Sequence, residues 1–195
     1  KTGSGVETSG EVKETKVEDL KEKIDDKDGT NAKQAPSPTR VEYGEHFTKV
    51  NGKKALKPNI EYIDANNYKY VTDDKGRIVS VQGVLIKQKG KRNLYAQRTV
   101  GGADRKDYDD GGHLIGTQFN GSGNIDNLVP QNQSINRSNG QWYNMEKEWA
   151  EELGKGKRVE VDIKVIYNSS SVRPDSFKVT YFINGKKTVK IIPNP

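Results

Sequence analysis

Cysteine is absent from this chain of 195 residues. That excludes a disulfide framework, a thiolate metal site and a cysteine nucleophile. Histidine is almost absent as well. The only two, His46 and His113, stand 67 positions apart, so a zinc centre built from clustered His and Cys ligands has nothing to draw on. No apolar run approaches the roughly 20 residues that a membrane-spanning helix needs, and the N-terminus has no apolar signal-peptide core. Hydrophobic residues make up only 31% of the chain, and residues 1–40 hold almost none of the large ones. Internal repeats are absent. The pair Gly111–Gly112 lacks the Gly-Lys-Ser/Thr ending of a phosphate-cradling loop.

What is present is unevenly distributed. Residues 1–40 carry 8 basic against 9 acidic side chains, and the remainder carries 25 against 18. The basic excess therefore belongs to the segment expected to fold, which suits a polyanionic partner. Residues 1–15 are Gly, Ser, Thr, Lys and Glu, a composition that cannot order itself. Val17, Leu20 and Ile24 at helical spacing predict a marginal helix over 16–28, and residues 29–40 read as a linker. The expected organisation is a disordered or weakly helical N-terminal arm, 1–40, and one folded domain, 41–195. A chain opening on Lys1 is expected to be part of something longer.

From residue 56 onward the pattern is strand-like. β-branched and aromatic residues predict strands at 59–63, 68–72, 77–86, 94–100, 157–167 and 176–183, with Asn184-Gly185 as the hairpin turn into 186–192. The best helix spans Ser138–Leu153, with Ser138 and Gln141 in capping-box spacing and Trp142, Met145, Trp149 and Leu153 on one face. These elements predict an α+β fold, a mostly antiparallel β-sheet carrying one principal helix.

The chemistry lies between the strands. Asp109-Asp110-Gly111-Gly112-His113 is followed by Asn127-Leu128-Val129-Pro130-Gln131 and then Asn136. Phosphodiester hydrolysis needs an activated water, a cation on the phosphate and positioning. A neutral imidazole at His113 takes a proton from water near neutral pH. A hard ion such as Mg²⁺ prefers few oxygen ligands, and an Asn carbonyl supplies one without repelling the phosphate.

These residues, with Trp142 and Glu146 downstream, resemble the DNA/RNA non-specific endonucleases of the ββα-metal, or His-Me finger, class. The resemblance spans roughly residues 56–192. It implies a ββα-metal finger within the fold, His113 as general base, Asn136 as the ligand of Mg²⁺ or Mn²⁺, and Glu146 as its support, with Glu148 as the rival. It further implies that Asn127 orients the base or its neighbouring backbone and that Gln131 and Arg137 contact substrate. The segment 167–185 is similar to the Gram-positive branch, which supplies toxin domains of type VII secretion effectors. That branch implies secretion, export machinery or a chaperone engaging an upstream region, and a cognate immunity protein as inhibitor.

One departure stands out: the family's Asp-Arg-Gly-His motif has Gly111 in place of Arg. A cation for the transition state must come from elsewhere. Arg98, Arg105, Arg137 and Arg173 are candidates, with Arg98 and Arg173 preferred because they flank strands expected to converge on the site. The basic run 87–92 reads equally as a solvated turn or as a groove lining. His46 is expected at the surface without a partner. Gly111 and Gly112 are expected to turn the backbone tightly beside the metal. The competing reading is a nucleic-acid-binding module whose site has decayed at Gly111.

Overall fold

The computed structural model describes residues 37–195, and Pro38–Pro195 form one compact unit. The helix expected over 16–28 and the linker up to residue 36 lie outside the described residues. Seven strands make the main sheet, in the order β1 (Thr39–Arg40), β4 (Ile60–Ile63), β5 (Lys69–Thr72), β6 (Ile78–Val84), β9 (Val159–Ile166), β10 (Ser176–Ile183) and β11 (Lys186–Pro193). All pairings are antiparallel except β1 with β4. Thr39 and Arg40 thus already belong to the sheet, just before the boundary expected at residue 40. A hairpin of β2 (Phe47–Val50) and β3 (Lys53–Leu56) stands apart, as does the pair β7 (Asp109–His113) and β8 (Leu128–Asn132).

The period-two pattern of the sequence becomes a one-sided sheet. Along β9, Val159, Val161, Ile163 and Val165 are buried and the residues between them are not. The buried face receives the principal helix, the last of three α-helices among the described residues: α1 (Leu94–Thr99), α2 (Gln133–Asn136) and α3 (Gln141–Gly154). Trp142, Met145 and Trp149 of α3 are fully enclosed, Trp142 lying 5.0 Å from the Phe177 ring and Trp149 5.5 Å from Tyr181. Aromatic pairs of this kind contribute about 0.5–1.5 kcal/mol beyond their burial. Asn184 and Gly185 both have positive φ, 47° and 83°, the turn that matches strand twist.

Three expectations fail locally. The strand expected over 94–100 is instead helix α1, Leu94–Thr99. Asn93 caps it, its Oδ1 accepting from the Ala96 N–H at 3.0 Å, and this local bond outweighs an apparent alternation in which Leu94 and Tyr95 in fact face solvent. The capping box at Ser138 does not form: Gly140 caps α3 without a side-chain bond. A Cβ on Gly140 would collide with the Ile135 and Ser134 carbonyls, so the α2–α3 turn demands glycine there.

His46 is buried, not exposed. Its Nδ1 accepts from the Gly44 N–H at 2.9 Å, so the ring proton sits on Nε2, which donates to Asp126 Oδ2 at 2.8 Å. Tyr43 and Ser122 also donate to that carboxylate. Burial opposes ionisation of Asp126, but these bonds outweigh it and hold its pKa below the ordinary carboxylate value. The network fastens the segment that precedes β8.

Candidate active site

β7 and β8 are paired so that His113 faces Leu128 and Asp110 faces Gln131. With α2 and α3 following, they place His113 at the end of one strand, Asn136 at the end of a short helix and Glu146 on the long one. The three side chains share a cleft of about 810 Å³ with Asp110, Arg92, Arg98, Arg105, Arg137 and Tyr143.

The two glycines of β7 turn nothing; neither has positive φ. They are small because their neighbours come close. A Cβ on Gly111 would meet the α1 backbone at Gln97, 2.5 Å from its Cα, and one on Gly112 would lie 2.7 Å from the Gln131 Cβ. An arginine at position 111 is therefore excluded by the helix that lies across it.

Burial, then the charge of Arg92, lowers the pKa of His113 to about 4. The ring is thus neutral at physiological pH and able to accept a proton. Its Nε2 is enclosed and has no hydrogen-bond partner. Glu146 shows the opposite shift: burial raises it to about 8 against the pull of Arg92. Asn136 Nδ2 donates to Asp110 Oδ2 at 3.0 Å, which turns its carbonyl oxygen away from that carboxylate. Asp110 also accepts from Arg137 at 2.9 Å. Burial alone would raise the Asp110 pKa, but these bonds bring it below its usual value.

Among the described residues no group of three or more His, Cys, Asp or Glu is arranged to hold a metal. What the cleft offers is a neutral amide oxygen and a carboxyl group that burial alone keeps protonated. That sparse, all-oxygen set suits a hard divalent ion that retains most of its water, and it does not suit a closed zinc site.

The remaining sequence candidates divide. Asn127 is fully buried; its Oδ1 accepts from Ile115 N–H and Tyr70 Oη–H, both at 2.9 Å, and its Nδ2 donates to the Ile115 and Ser122 carbonyls at 2.8 Å. It grips the backbone two residues beyond His113. Gln131, expected at the substrate, is fully enclosed behind Gly112 and does not line the cleft. Arg173, expected to supply a cation, is likewise buried. Its Nε and Nη2 grip Asp109 at 2.7 and 2.8 Å, and the carbonyls of Asn194 and Pro195 take two more of its hydrogens. Four of its five N–H donors are spent on structure. Glu148 accepts from Tyr181, which leaves Glu146 as the glutamate that lines the cleft. Arg92, unremarkable in a run of lysines, lines the cleft because Asn93 starts a helix there; only knowledge of that cap separates it from Lys87, Lys89 and Lys91.

Residues 58–185 match the family model for DNA/RNA non-specific endonuclease. The type VII secretion system protein EssD of Staphylococcus aureus is 50% identical over 167 residues, an alignment covering 83% of this chain and 27% of that protein. The chain thus spans about a quarter of the length of these relatives. Among solved structures, NucA from Streptococcus agalactiae with magnesium bound aligns at a TM-score of 0.52 and 22% identity, covering 76% of this chain and 84% of that one. The Sda1 nuclease with bound zinc aligns at 0.51 and 14%, covering 78% and 80%. No helix among the described residues is long and apolar enough to cross a membrane.

Proposed function

This chain belongs to the DNA/RNA non-specific endonuclease family, and on that premise we propose that its cleft hydrolyses phosphodiester bonds with His113 as the general base. The observation that carries the reading is the union, in one basic cleft, of a histidine held neutral with the free carbonyl of Asn136 and the half-buried carboxyl of Glu146. Because Nε2 is enclosed, Nδ1 is the ring nitrogen that takes the proton from water. Asn127 acts through the backbone, fixing the segment that follows His113. Asn136 would ligate, and Glu146 support, a Mg²⁺ or Mn²⁺ ion, which when bound neutralises the phosphate and its leaving 3′ oxygen. Arg98 and Arg137 grip neighbouring phosphates. Contacts of this kind read neither base nor sugar, so RNA is expected to be cut as well as DNA.

The identity to EssD supports placing this domain in a secreted antibacterial effector. A producing cell then needs an immunity protein against it, and an acidic surface on that inhibitor would complement the basic domain. Export machinery or a chaperone would engage sequence outside the domain.

Plasmid degradation is the test, with purified protein in Mg²⁺, in EDTA, and with His113→Ala in Mg²⁺. Cutting that disappears in both controls is the expected result. Intact plasmid whose mobility is nonetheless shifted by folded wild-type protein would establish the binding module instead.

A further inference from the structure

We infer that Arg92 is the catalytic cation of the cleft, the side chain that holds the charge developing on the phosphoryl oxygens during attack. This assignment rests on the nuclease reading above. In that step the water oxygen forms a bond to phosphorus, its proton passes to His113, and the bond from phosphorus to the 3′ oxygen breaks. The leaving oxygen then takes a proton from solvent. Negative charge peaks between these events, and a preorganised donor aimed there is worth more than one that must move.

Four arginines line the cleft: Arg92, Arg98, Arg105 and Arg137. Two are already engaged. Arg105 donates to the carbonyls of Gln97, Val100 and Asp109, and Arg137 is paired with Asp110. Arg92 and Arg98 have no ion-pair partner among the described residues.

Position separates these two. The charge of Arg92 reaches His113 and favours its neutral ring; that of Arg98 does not. The Arg92 main chain is also fixed on both sides. Asn93 next to it caps α1, and the chain runs so close to Gly123 that a Cβ there would lie 3.0 Å from the Arg92 Cα. A guanidinium on a rigid backbone, lining the same cleft as the general base and free of internal ion pairs, is available as a transition-state donor. The same close packing of α1 on Gly111 prevents β7 from supplying a cation of its own.

The test compares steady-state cleavage by wild type, Arg92→Ala, Arg92→Lys and Arg98→Ala, with free guanidinium added back to the alanine variant. Arg92→Ala should lose about a hundredfold in kcat with KM within about threefold, and guanidinium should restore part of the loss. Arg98→Ala should act mainly on KM. Arg92 bonds to no described side chain, so the melting temperature should not move. A second readout needs neither substrate nor metal: the His113 pKa, followed by NMR, should rise in Arg92→Ala. Wild-type cleavage with Arg92→Ala within about threefold in kcat would overturn the assignment alone, as would a loss confined to KM with the His113 titration unmoved. Failure of wild type to cut would instead remove the nuclease reading, and this assignment with it.

Discussion

At the scale of single residues, the cleft holds two groups whose surroundings disfavour their charged forms, with opposite consequences for stability. Glu146 keeps its proton to about pH 8 in the folded chain, whereas in the unfolded chain it ionises near its ordinary value of 4.5. Stability is therefore lost as pH rises between those values, on the order of 3 kcal/mol by pH 7. Glu146→Gln should melt higher than wild type at pH 7 in EDTA, and thermal scans at pH 4 should show the difference gone. His113 works the other way. Its folded pKa of about 4 lies below the ordinary value of 6.5, so the unfolded chain gains the proton first and stability falls as pH drops through that window. For the proposed role of His113 as base, the same shift means that the ring stays available well below pH 6. A pH profile of kcat/KM should show no His113 acid limb near 6.5; a limb found there would mean that the ring is more hydrated than its burial implies.

At the scale of elements, α1 governs the cleft because of what β7 lacks. Gly111 lets the Gln97 backbone rest on the strand, and α1 in turn carries Arg98 and follows Arg92. Gly111→Ala forces helix and strand apart. Overpacking of this kind costs about 1–3 kcal/mol, and circular-dichroism melts should show it, together with a raised KM as the arginines shift. This packing was invisible in the sequence, where 94–100 reads as a strand. A single side-chain bond from Asn93 decided the matter, and α1 is too short for periodicity to report. The long elements were legible: β10 spans 176–183 as expected, and α3 buries its Trp142, Met145 and Trp149. Of the candidate site, His113, Asn136, Glu146, Arg98 and Arg137 meet in the cleft. Gln131 and Arg173 were misplaced for a shared reason. Polar side chains near a motif read as exposed, and nothing in a linear pattern reveals that Asp109 will hold Arg173 inside the domain or that Gln131 will lie behind Gly112.

At the scale of the whole molecule, the domain separates a structural ion pair from a functional charge field. Arg173 with Asp109 joins the start of β7 to the loop before β10 and to the last two residues. Removing one partner of a buried pair strands the other, which costs about 3–5 kcal/mol. Arg173→Ala should unfold at markedly lower denaturant while retaining kcat per folded molecule at low temperature; loss of kcat without loss of stability would return Arg173 to the catalytic set. The functional field is the excess of 25 basic over 18 acidic side chains in residues 41–195, brought to bear where Arg92, Arg98 and Arg137 line the cleft. Each phosphate neutralised releases counterions, so three such contacts to duplex DNA predict a slope of about −3 in log affinity against log salt. Binding measured in EDTA across a salt series tests this without cleavage, and Arg98→Ala should reduce the slope by about one. A slope near zero would mean that the cleft arginines do not meet the backbone, and that the basic excess of the domain serves solubility rather than substrate.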